Sequence, residues 1–405
     1  LNTDFKKAIS LPVFDFISKA ANEIEVDSYV IGGYVRDFLL ERKKPKDIDI
    51  VAVGSGIDLA NKVAELLPFK PKVQIFKTYG TAMLRFQDLE IEFVGARKES
   101  YVEHSRNPLV DRGTLQDDQN RRDFTINAMA ISLNSLNHGE LLDPFDGITD
   151  LQNKSIKTPL DPDITFSDDP LRMMRAIRFS SQLGFKIEEK SLESITRNAK
   201  RIKIVSEERV VDELHKIMLS EKPSIGLKIL FQTGLLPFIL QELSDLQGVE
   251  RIKGQKHKDN FYHTLQVVDN ISENTDNLWL RWAALLHDIG RSRQDASNGE
   301  VCHARQGARM ARDIIRELPL SEEQKNNIIH CIRAHRFREA LQPETVEARV
   351  LYDADKLDAI GAVGVARAFL FAGEVGARLH NPDMKIEESK SYSEDDTGYR
   401  EYRLK

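Results

Sequence analysis

The first third of the chain carries short apolar runs of the kind that form β-strands. Residues 48–53 alternate between two faces and are rich in β-branched side chains, which predicts a strand. Further strands of the same sheet are predicted at 73–76, 81–86 and 89–94. A short strand at 28–31 precedes a helix at 35–40, and a glycine pair lies between them. We therefore expect a mixed α/β domain at the start of the chain.

From about residue 161 onward the apolar positions recur with helical spacing. Helices are predicted at 171–183, 191–198, 206–219 and 224–232. A basic polar stretch at 253–259 predicts a boundary, and a second helical domain follows it. The expected segments are an α/β domain at 1–160, a helical domain at 161–252, a second helical domain at 253–385 and a flexible tail at 386–405.

Composition and charge narrow the class of protein. Hydrophobic residues make up 41% of the 405 residues, which is typical of a folded globular chain. We find no apolar run long enough to span a membrane and no signal peptide in residues 1–20. Cys302 and Cys331 lack metal-type spacing, so we expect reduced thiols and a cytoplasmic location. The chain begins at Leu1 and ends at a charged Lys405, which suggests a fragment.

The net charge of −6 gives no overall attraction to nucleic acid, so RNA binding would depend on local basic clusters. Each cluster also fits an ordinary solvated surface. The candidates are Arg42, Lys43, Lys44 and Lys46, then Arg197, Lys200, Arg201 and Lys203, and then Lys253, Lys256 and Lys258.

Asp47 and Asp49 are the most informative pair of residues in the chain. Side chains two apart on a strand point the same way, so these carboxylates share a face. They repel each other unless a cation lies between them, and Mg²⁺ favours such oxygen ligands. Glu92 on a neighbouring strand is either a third acid near the metal or a surface residue. The turn at Gly32–Gly33, before a helix, suits an anion such as a triphosphate.

Two later motifs carry further candidate chemistry. Arg121 and Arg122 offer planar forks for phosphate, and residues 123 and 127 lie one helical turn apart. The alternative is a helix start with ordinary ion pairs. Asp169 and Arg172 are three residues apart in a helix that Pro170 can begin, so they could read the edge of a base. The alternative is a simple ion pair.

These motifs, in this order over about residues 27–250, resemble the bacterial and eukaryotic class of CCA-adding tRNA nucleotidyltransferases and their poly(A) polymerase relatives. The resemblance implies a polymerase-β-like mixed-sheet head, an all-α neck and transfer of CMP and AMP from CTP and ATP to the 3′ end of tRNA. Asp47 and Asp49 would be catalytic and would hold Mg²⁺. The nucleotide-binding residues implied by the family motifs are Gly32, Gly33, Arg36, Arg121, Arg122, Asp123, Asn127, Asp169 and Arg172.

One departure, one further likeness and several alternatives accompany this resemblance. Asp168 stands where the family usually has Glu, and the segment 143–151 resembles the family's flexible element after the head. Addition of A only, addition of CC only and poly(A) synthesis remain open.

A second set of candidate ligands lies in the C-terminal half. His263, the adjacent His287 and Asp288, and the distant Asp355 follow the pattern of the HD superfamily. Imidazole and carboxylate groups suit a divalent metal of uncertain identity, which could activate water against a phosphoester. His303 and His335 are further candidates.

From about residue 291 the chain looks more like stand-alone HD phosphohydrolases. The alternatives are therefore a phosphohydrolase with the head as an RNA-binding module, and a non-catalytic RNA-binding protein. A single histidine is more often a core residue than a ligand, and the oligomeric state stays open.

Overall fold

The computed structural model describes residues 4–42, 47–77, 80–102, 105–252, 255–297, 300–336 and 341–357, with single positions at 362, 365, 366 and 369. Two compact units are present, Leu1–Ile239 and Leu240–Lys405. The division of the chain into four segments stays a prediction. The expected tail at 386–405 lies outside the described residues.

The first unit is built on a seven-stranded mixed sheet in the order β3-β4-β5-β2-β1-β8-β9. The central strand β2 pairs parallel with β5 and antiparallel with β1. The strands of the unit, including a separate hairpin β6–β7 and a short pair β10–β11, are β1 Ser28–Ile31, β2 Asp47–Ala52, β3 Gln74–Phe76, β4 Thr81–Phe86, β5 Leu89–Gly95, β6 Arg97–Val102, β7 Ser105–Arg112, β8 Ala130–Ser132, β9 Leu141–Leu142, β10 Ser155–Ile156 and β11 Lys186–Ile187. The strand predictions at 28–31, 48–53, 73–76, 81–86 and 89–94 are therefore confirmed to within a residue.

Helices surround this sheet and then continue the unit beyond it. They are α1 Pro12–Glu23, α2 Gly33–Leu39, α3 Gly56–Leu66, α4 Leu115–Asn120, α5 Gly147–Gln152, α6 Pro162–Asp168, α7 Leu171–Leu183, α8 Glu189–Asn198, α9 Glu207–Met218, α10 Pro223–Gln232 and α11 Leu236–Ile239. Short 3₁₀ turns lie at Phe5–Lys7, Thr125–Asn127 and Ala199–Ile204. The central strand β2 is buried: its apolar residues Ile48, Ile50 and Val51 are each 1% exposed or less.

The helical part of this unit is organised around α7, which packs against α9 and α10. Gly226 permits the close approach of α10, since a Cβ there would lie 2.6 Å from Ile217 Cγ2 of α9. Gly184 ends α7 in the left-handed conformation with φ +68°, as is common for a glycine after a helix. One feature differs from the expected all-α neck, because β11 pairs in parallel with β10. Two-residue strands leave too little pattern for sequence periodicity to detect.

Among its described residues, the second unit is helical apart from one hairpin. Its elements are α12 Gln241–Ser244, β12 Val249–Ile252, β13 Gln255–Asp259, α13 Asn260–Ser272, α14 Leu278–Leu286, α15 Arg291–Ala296, α16 His303–Ile314, α17 Glu322–Ala334 and α18 Val346–Lys356. The antiparallel hairpin β12–β13 occupies the stretch where the sequence predicted a polar boundary. Helices α13, α14, α17 and α18 pack on one another. None of the helices described here has the length and apolarity to cross a membrane.

Candidate functional site

A group of carboxylates lies where β2 passes β5 and the start of α4. Asp49 pairs in register with Glu92, so the structure places the proposed third acid beside it. Burial raises the pKa of Asp49, Arg122 opposes that rise, and the charges of Asp118 and Asp47 add to it. The pKa of Glu92 is also raised, by burial and then by Asp49. Neighbouring carboxylates thus add to the raised pKa of Asp49 and of Glu92, which is the electrostatic condition that a bound divalent cation relieves.

The glycine turn lies directly against this group. Gly32 has φ +85°, which favours glycine, and a Cβ there would lie 3.0 Å from Arg122 Nη1 and 3.3 Å from Asp49 Oδ2. The guanidinium of Arg122 and the carboxylate of Asp49 therefore both lie close to the backbone of Gly32. The Gly32 N–H donates to the carbonyl of Met129 at 3.2 Å. Phosphate contacts thus remain a prediction for the amides that follow Gly32 in α2.

Both arginines of the 121–122 pair are anchored by a carboxylate that the sequence did not single out. Asp118 on α4 is fully buried and forms ion pairs with Arg121 and with Arg122, the latter at 3.1 Å from Nη2. Its positions three and four residues before the arginines, on a capped helix, were the available signal. Asp118 fixes both guanidinium groups close to the carboxylates of the strand.

The Asp123 and Asn127 pair is joined by a hydrogen bond rather than by a shared α-helical face. Asn127 Nδ2 donates to Asp123 Oδ1 at 3.0 Å across the 3₁₀ turn, and Arg36 Nη1 donates to Asn127 Oδ1 at 2.8 Å. Arg175 Nε donates to Asp123 Oδ2 at 2.7 Å, a contact that the sequence did not predict. Burial raises the pKa of Asp123, but Arg175 and Asn127 outweigh it and the pKa is lowered to about 2.

Asp169 and Arg172 lie at the junction of α6 and α7. Asp169 ends α6, and its Oδ1 accepts the N–H of Leu171 at 3.2 Å, which helps to begin α7. Arg172 Nη2 lies 4.0 Å from Oε2 of Glu99 on β6. Glu99, whose side chain is only 3% exposed, also pairs with Arg97 at 2.8 Å and Arg121 at 3.4 Å. Sequence reasoning missed Glu99 because it lies 73 positions before Arg172 in the chain.

Two other predicted features have structural partners. In the cluster at 197–203, Arg197 pairs with Asp163 at 2.9 Å and Arg201 donates to the Ser167 carbonyl. These contacts favour the structural interpretation of that cluster over RNA binding. In the segment 143–151, Asp143 accepts the N–H groups of Gly147 and Ile148, which caps α5. Lys43, Lys44, Lys46 and Lys253 lie outside the described residues.

The predicted ligands of the second unit come together between its helices. His263 Nε2 on α13 lies 2.8 Å from Asp355 Oδ1 on α18. His287, directly after α14, places Nε2 at 3.5 Å from Asp288 Oδ2 and 3.8 Å from the same Asp355 oxygen. Its Nδ1 bonds to the Ala284 carbonyl at 2.7 Å, which leaves Nε2 as the ligand atom. That Nε2 is buried and has no hydrogen-bond partner among the residues that the structure describes, as expected of a ligand atom.

The two further candidate histidines join the same cluster through Asp288. His303 Nε2 and His335 Nε2 each lie 3.6 Å from Asp288 Oδ1 and 3.3 Å from each other. His335 Nδ1 bonds to the Ile332 carbonyl, so its Nε2 also faces inward. Two sets of donors can hold a metal, His263, His287 and Asp288 in one and Asp288, His303 and His335 in the other. This donor set fits a divalent transition metal.

Burial sets the protonation of these imidazoles. It lowers the pKa of His287 to about 4, even though Asp288 opposes the shift. Burial, followed by the charge of Arg291, lowers the pKa of His303 to about 2. Both rings are therefore neutral at physiological pH, which is the form that binds metals.

Comparison with known proteins agrees with this arrangement. The chain matches the families described as poly A polymerase head domain at residues 28–157, probable RNA and SrmB-binding site of polymerase A at 184–246, and HD domain at 260–360. The CCA-adding enzyme of Bacillus velezensis is 35% identical over 292 residues, which are 72% of this chain and 66% of that enzyme. The chain belongs to the tRNA nucleotidyltransferase and poly(A) polymerase family.

Relatives within this family add different nucleotides. An A-adding tRNA nucleotidyltransferase of Aquifex aeolicus is 40% identical over 48% of this chain and 23% of its own length. A CC-adding tRNA nucleotidyltransferase of Halalkalibacterium halodurans is 34% identical over 61% of this chain and 60% of its own length. The chain thus spans less than two thirds of the length of these relatives.

Solved structures share the fold. The Thermotoga maritima CCA-adding enzyme complexed with tRNA superposes with a TM-score of 0.63 at 21% identity, covering 97% of this chain and 91% of that one. A complex of a CCA-adding enzyme with CTP gives 0.63 at 23% identity, over 92% and 86% of the two chains. The mixed-sheet head followed by helices is therefore the fold of this nucleotidyltransferase family.

Proposed function

We propose that the protein adds C and A to the 3′ end of tRNA, using CTP and ATP and releasing pyrophosphate. The observation that carries the proposal is the turn at Gly32, where a Cβ would lie 3.0 Å from Arg122 Nη1 and 3.3 Å from Asp49 Oδ2. Transfer from a triphosphate uses a cationic group and a metal-binding carboxylate close to the phosphates. The names of the relatives support tRNA as the acceptor.

Asp47 and Asp49 are proposed to hold Mg²⁺, and their chemistry fits it. The charge of Asp47 adds to the raised pKa of Asp49, and a carboxylate in this environment favours a hard dication with oxygen ligands. When bound, Mg²⁺ supplies positive charge to the attacking 3′-oxygen and the departing pyrophosphate. Arg121 and Arg122, held by Asp118, are proposed to orient the phosphates of the nucleotide.

Asp169 and Arg172 are proposed to select the base. Arg172 is held on one side by Glu99, so its guanidinium has a defined direction. Hydrogen bonds from a fixed donor and acceptor distinguish bases because a wrong base leaves a polar group unpaired.

We further propose the cytoplasm as the location, and a head at 1–160, a neck at 161–252 and an HD domain at 253–385.

The test is nucleotide addition by the purified full chain to tRNA transcripts that end before CCA, after C or after CC. Mg²⁺ is present in every reaction, and the labelled triphosphates are supplied singly and in combination. We expect CMP addition to the first two transcripts and AMP addition to the third. Addition of AMP alone, or of CMP alone, would assign one of the partial activities. Long A tails on any RNA would favour a poly(A) polymerase, and no incorporation would contradict the proposal.

A second activity is favoured by the unpaired, buried Nε2 of His287, which faces two carboxylates. We propose that His263, His287, Asp288 and Asp355 hold a divalent transition metal. When bound, such an ion lowers the pKa of a water that can attack a phosphoester. The test is metal analysis of the purified chain, with phosphatase and phosphodiesterase assays on His287→Ala/Asp288→Ala. A metal-free wild type, or equal hydrolysis by both proteins, would leave this unit as a scaffold.

A further inference from the structure

The ring of Phe179 lies among three guanidinium groups inside the first unit. Phe179 is on α7 and is 6% exposed. Its ring centroid is 5.0 Å from Cζ of Arg36, 5.6 Å from Cζ of Arg175 and 4.3 Å from Cζ of Arg178. The ring of Phe124 meets it edge-on at 5.7 Å. An aromatic face attracts cations, and three of them around one ring form an unusual concentration of charge.

Three cations at this spacing repel one another unless each has a counter-charge. The structure supplies one carboxylate to each guanidinium. The pairs, measured from arginine Nε to carboxylate oxygen, are Arg36–Asp37 at 2.9 Å, Arg175–Asp123 at 2.7 Å and Arg178–Glu213 at 3.0 Å. The ring and the three acids therefore hold the guanidinium groups in fixed places.

Two of these arginines belong to the parts that the proposed reaction must align. Arg36 lies in α2, just after the glycine turn, and its Nη2 would be 3.5 Å from a Cβ on Gly33. Arg175 lies one helical turn after Arg172, and Phe179 lies two turns after it, so all three share one face of α7. The ring of Phe179 thus connects the phosphate-binding turn with the helix that carries the base reader.

We propose that Phe179 is a positioning residue that keeps the glycine turn and the Arg172 helix in one geometry. This proposal rests on the proposed nucleotide addition. The ring face is the essential feature, because a leucine of similar volume would fill the core but would offer the arginines no π surface. Loss of the ring face should therefore reduce the discrimination between bases more than it reduces the stability of the fold.

The first test compares Phe179→Leu with Phe179→Tyr, which keeps the ring. Phe185→Leu is the matched control, since Phe185 is 5% exposed and its ring has none of these arginine contacts. The measurement is kcat/KM for CTP and for UTP on tRNA ending before CCA. Phe179→Leu should lower the CTP preference about fivefold, in line with the loss of cation–π contacts. Phe179→Tyr should restore it, and Phe185→Leu should not change it.

The second test measures the contact without relying on activity. Unfolding free energies are determined for wild type, Phe179→Leu, Arg36→Met and the double variant. We expect the two changes to be non-additive, since each removes the same contact. An additive cycle would overturn the proposal, as would an unchanged CTP preference in folded Phe179→Leu. Absence of nucleotide addition by wild type would instead contradict the proposed function, while the cycle would still decide the contact.

Discussion

The two clusters of candidate metal ligands differ in what balances their carboxylates. In the first unit burial raises the pKa of Asp49, Arg122 only partly offsets that rise, and the charges of Asp118 and Asp47 add to it. In the second unit the pKa of each carboxyl is held well below its usual range despite burial, that of Asp288 by Arg291 and then by neighbouring histidines, and that of Asp355 by its hydrogen bond to His263 and then by His287 and Lys356. The ionised form of aspartate is thus disfavoured at Asp49 in the first cluster and favoured at Asp288 and Asp355 in the second.

This difference predicts how each cluster uses a metal. Mg²⁺ is usually held by one or two carboxylates together with substrate phosphates, which suits the first cluster. Imidazoles held neutral by burial, with carboxylates already ionised, form a site that can retain a metal without substrate. We therefore expect a metal that arrives with the nucleotide in the first unit and a resident metal in the second.

The largest effect is expected from removing one acid of the first cluster. Asp49→Asn should reduce nucleotide addition by about three orders of magnitude, since several kcal/mol of charge stabilisation are lost at about 1.4 kcal/mol for each tenfold. Asp47→Ala should behave similarly. The melting temperature of Asp49→Asn should stay the same or rise, because a repelling charge is removed. Single-turnover assays and thermal melts check both statements, and near-normal incorporation would contradict the assignment.

The second cluster is tested by a variant that should lose its metal but keep nucleotide addition. His287→Ala/Asp288→Ala should lose the metal that copurifies with wild type while keeping nucleotide addition within about twofold, since the two clusters lie in separate compact units and share no ligand. Elemental analysis after gel filtration gives the metal content. Asp49→Asn is the control and should retain the metal. If both variants lost it, the distinction between a substrate-borne and a resident metal would fail.

The base-reading pair gives a smaller and more selective effect. Arg172→Ala should reduce discrimination against UTP and GTP at least about tenfold, while the KM for the correct triphosphate changes less. Lys200→Ala, an exposed change in the same unit, is the control. The ratio of kcat/KM values for CTP and UTP is the measurement. An unchanged ratio would return Asp169 and Arg172 to a structural ion-pair role.

How far sequence could predict these sites depends on how local each one is. Asp47 and Asp49 could be placed on one face from strand alternation alone, because two residues suffice to define it. Glu99 could not be found, since its partner Arg172 lies 73 positions further along the chain, whereas Asp118 had a local signal in its spacing of three and four residues from Arg121 and Arg122. The ligands of the second unit span 92 positions, from His263 to Asp355, so only resemblance to the HD superfamily could group them.

Acid titration sharpens the comparison for the second unit. Unperturbed histidines protonate near pH 6.5, so a metal held by ordinary imidazoles would be released in that range. The structure shifts this expectation, because burial lowers the pKa of His287 to about 4 and that of His303 to about 2. Protons then compete with the metal only below about pH 5. Metal release measured by dialysis between pH 7 and 4 checks this, and half-release near pH 6.5 would contradict it.

The smallest effect concerns an acid of the first unit that is satisfied by arginine instead of metal. Burial raises the pKa of Asp123, yet Arg175 and Asn127 lower it to about 2, below its unfolded value near 3.8. A depressed carboxyl pKa stabilises the fold above about pH 4, and this contribution is lost as the pH falls through about 2.

Asp123→Asn should therefore lower the unfolding free energy by about 2 kcal/mol at pH 7, with the difference from wild type shrinking as the pH falls from 4 toward 2. Asp163→Asn is the control, because Asp163 is paired with Arg197 on the surface, where water screens the pair and the loss should be smaller. Denaturant titrations across this pH range give the measurement. A pH-independent loss for Asp123→Asn would mean that packing, and not the charge on Asp123, accounts for its contribution. In that case the charge on Asp123 would not contribute to the stability of the first unit. The effects of charge in that unit would then be expected at the proposed nucleotide site, which would strengthen the contrast between the two clusters.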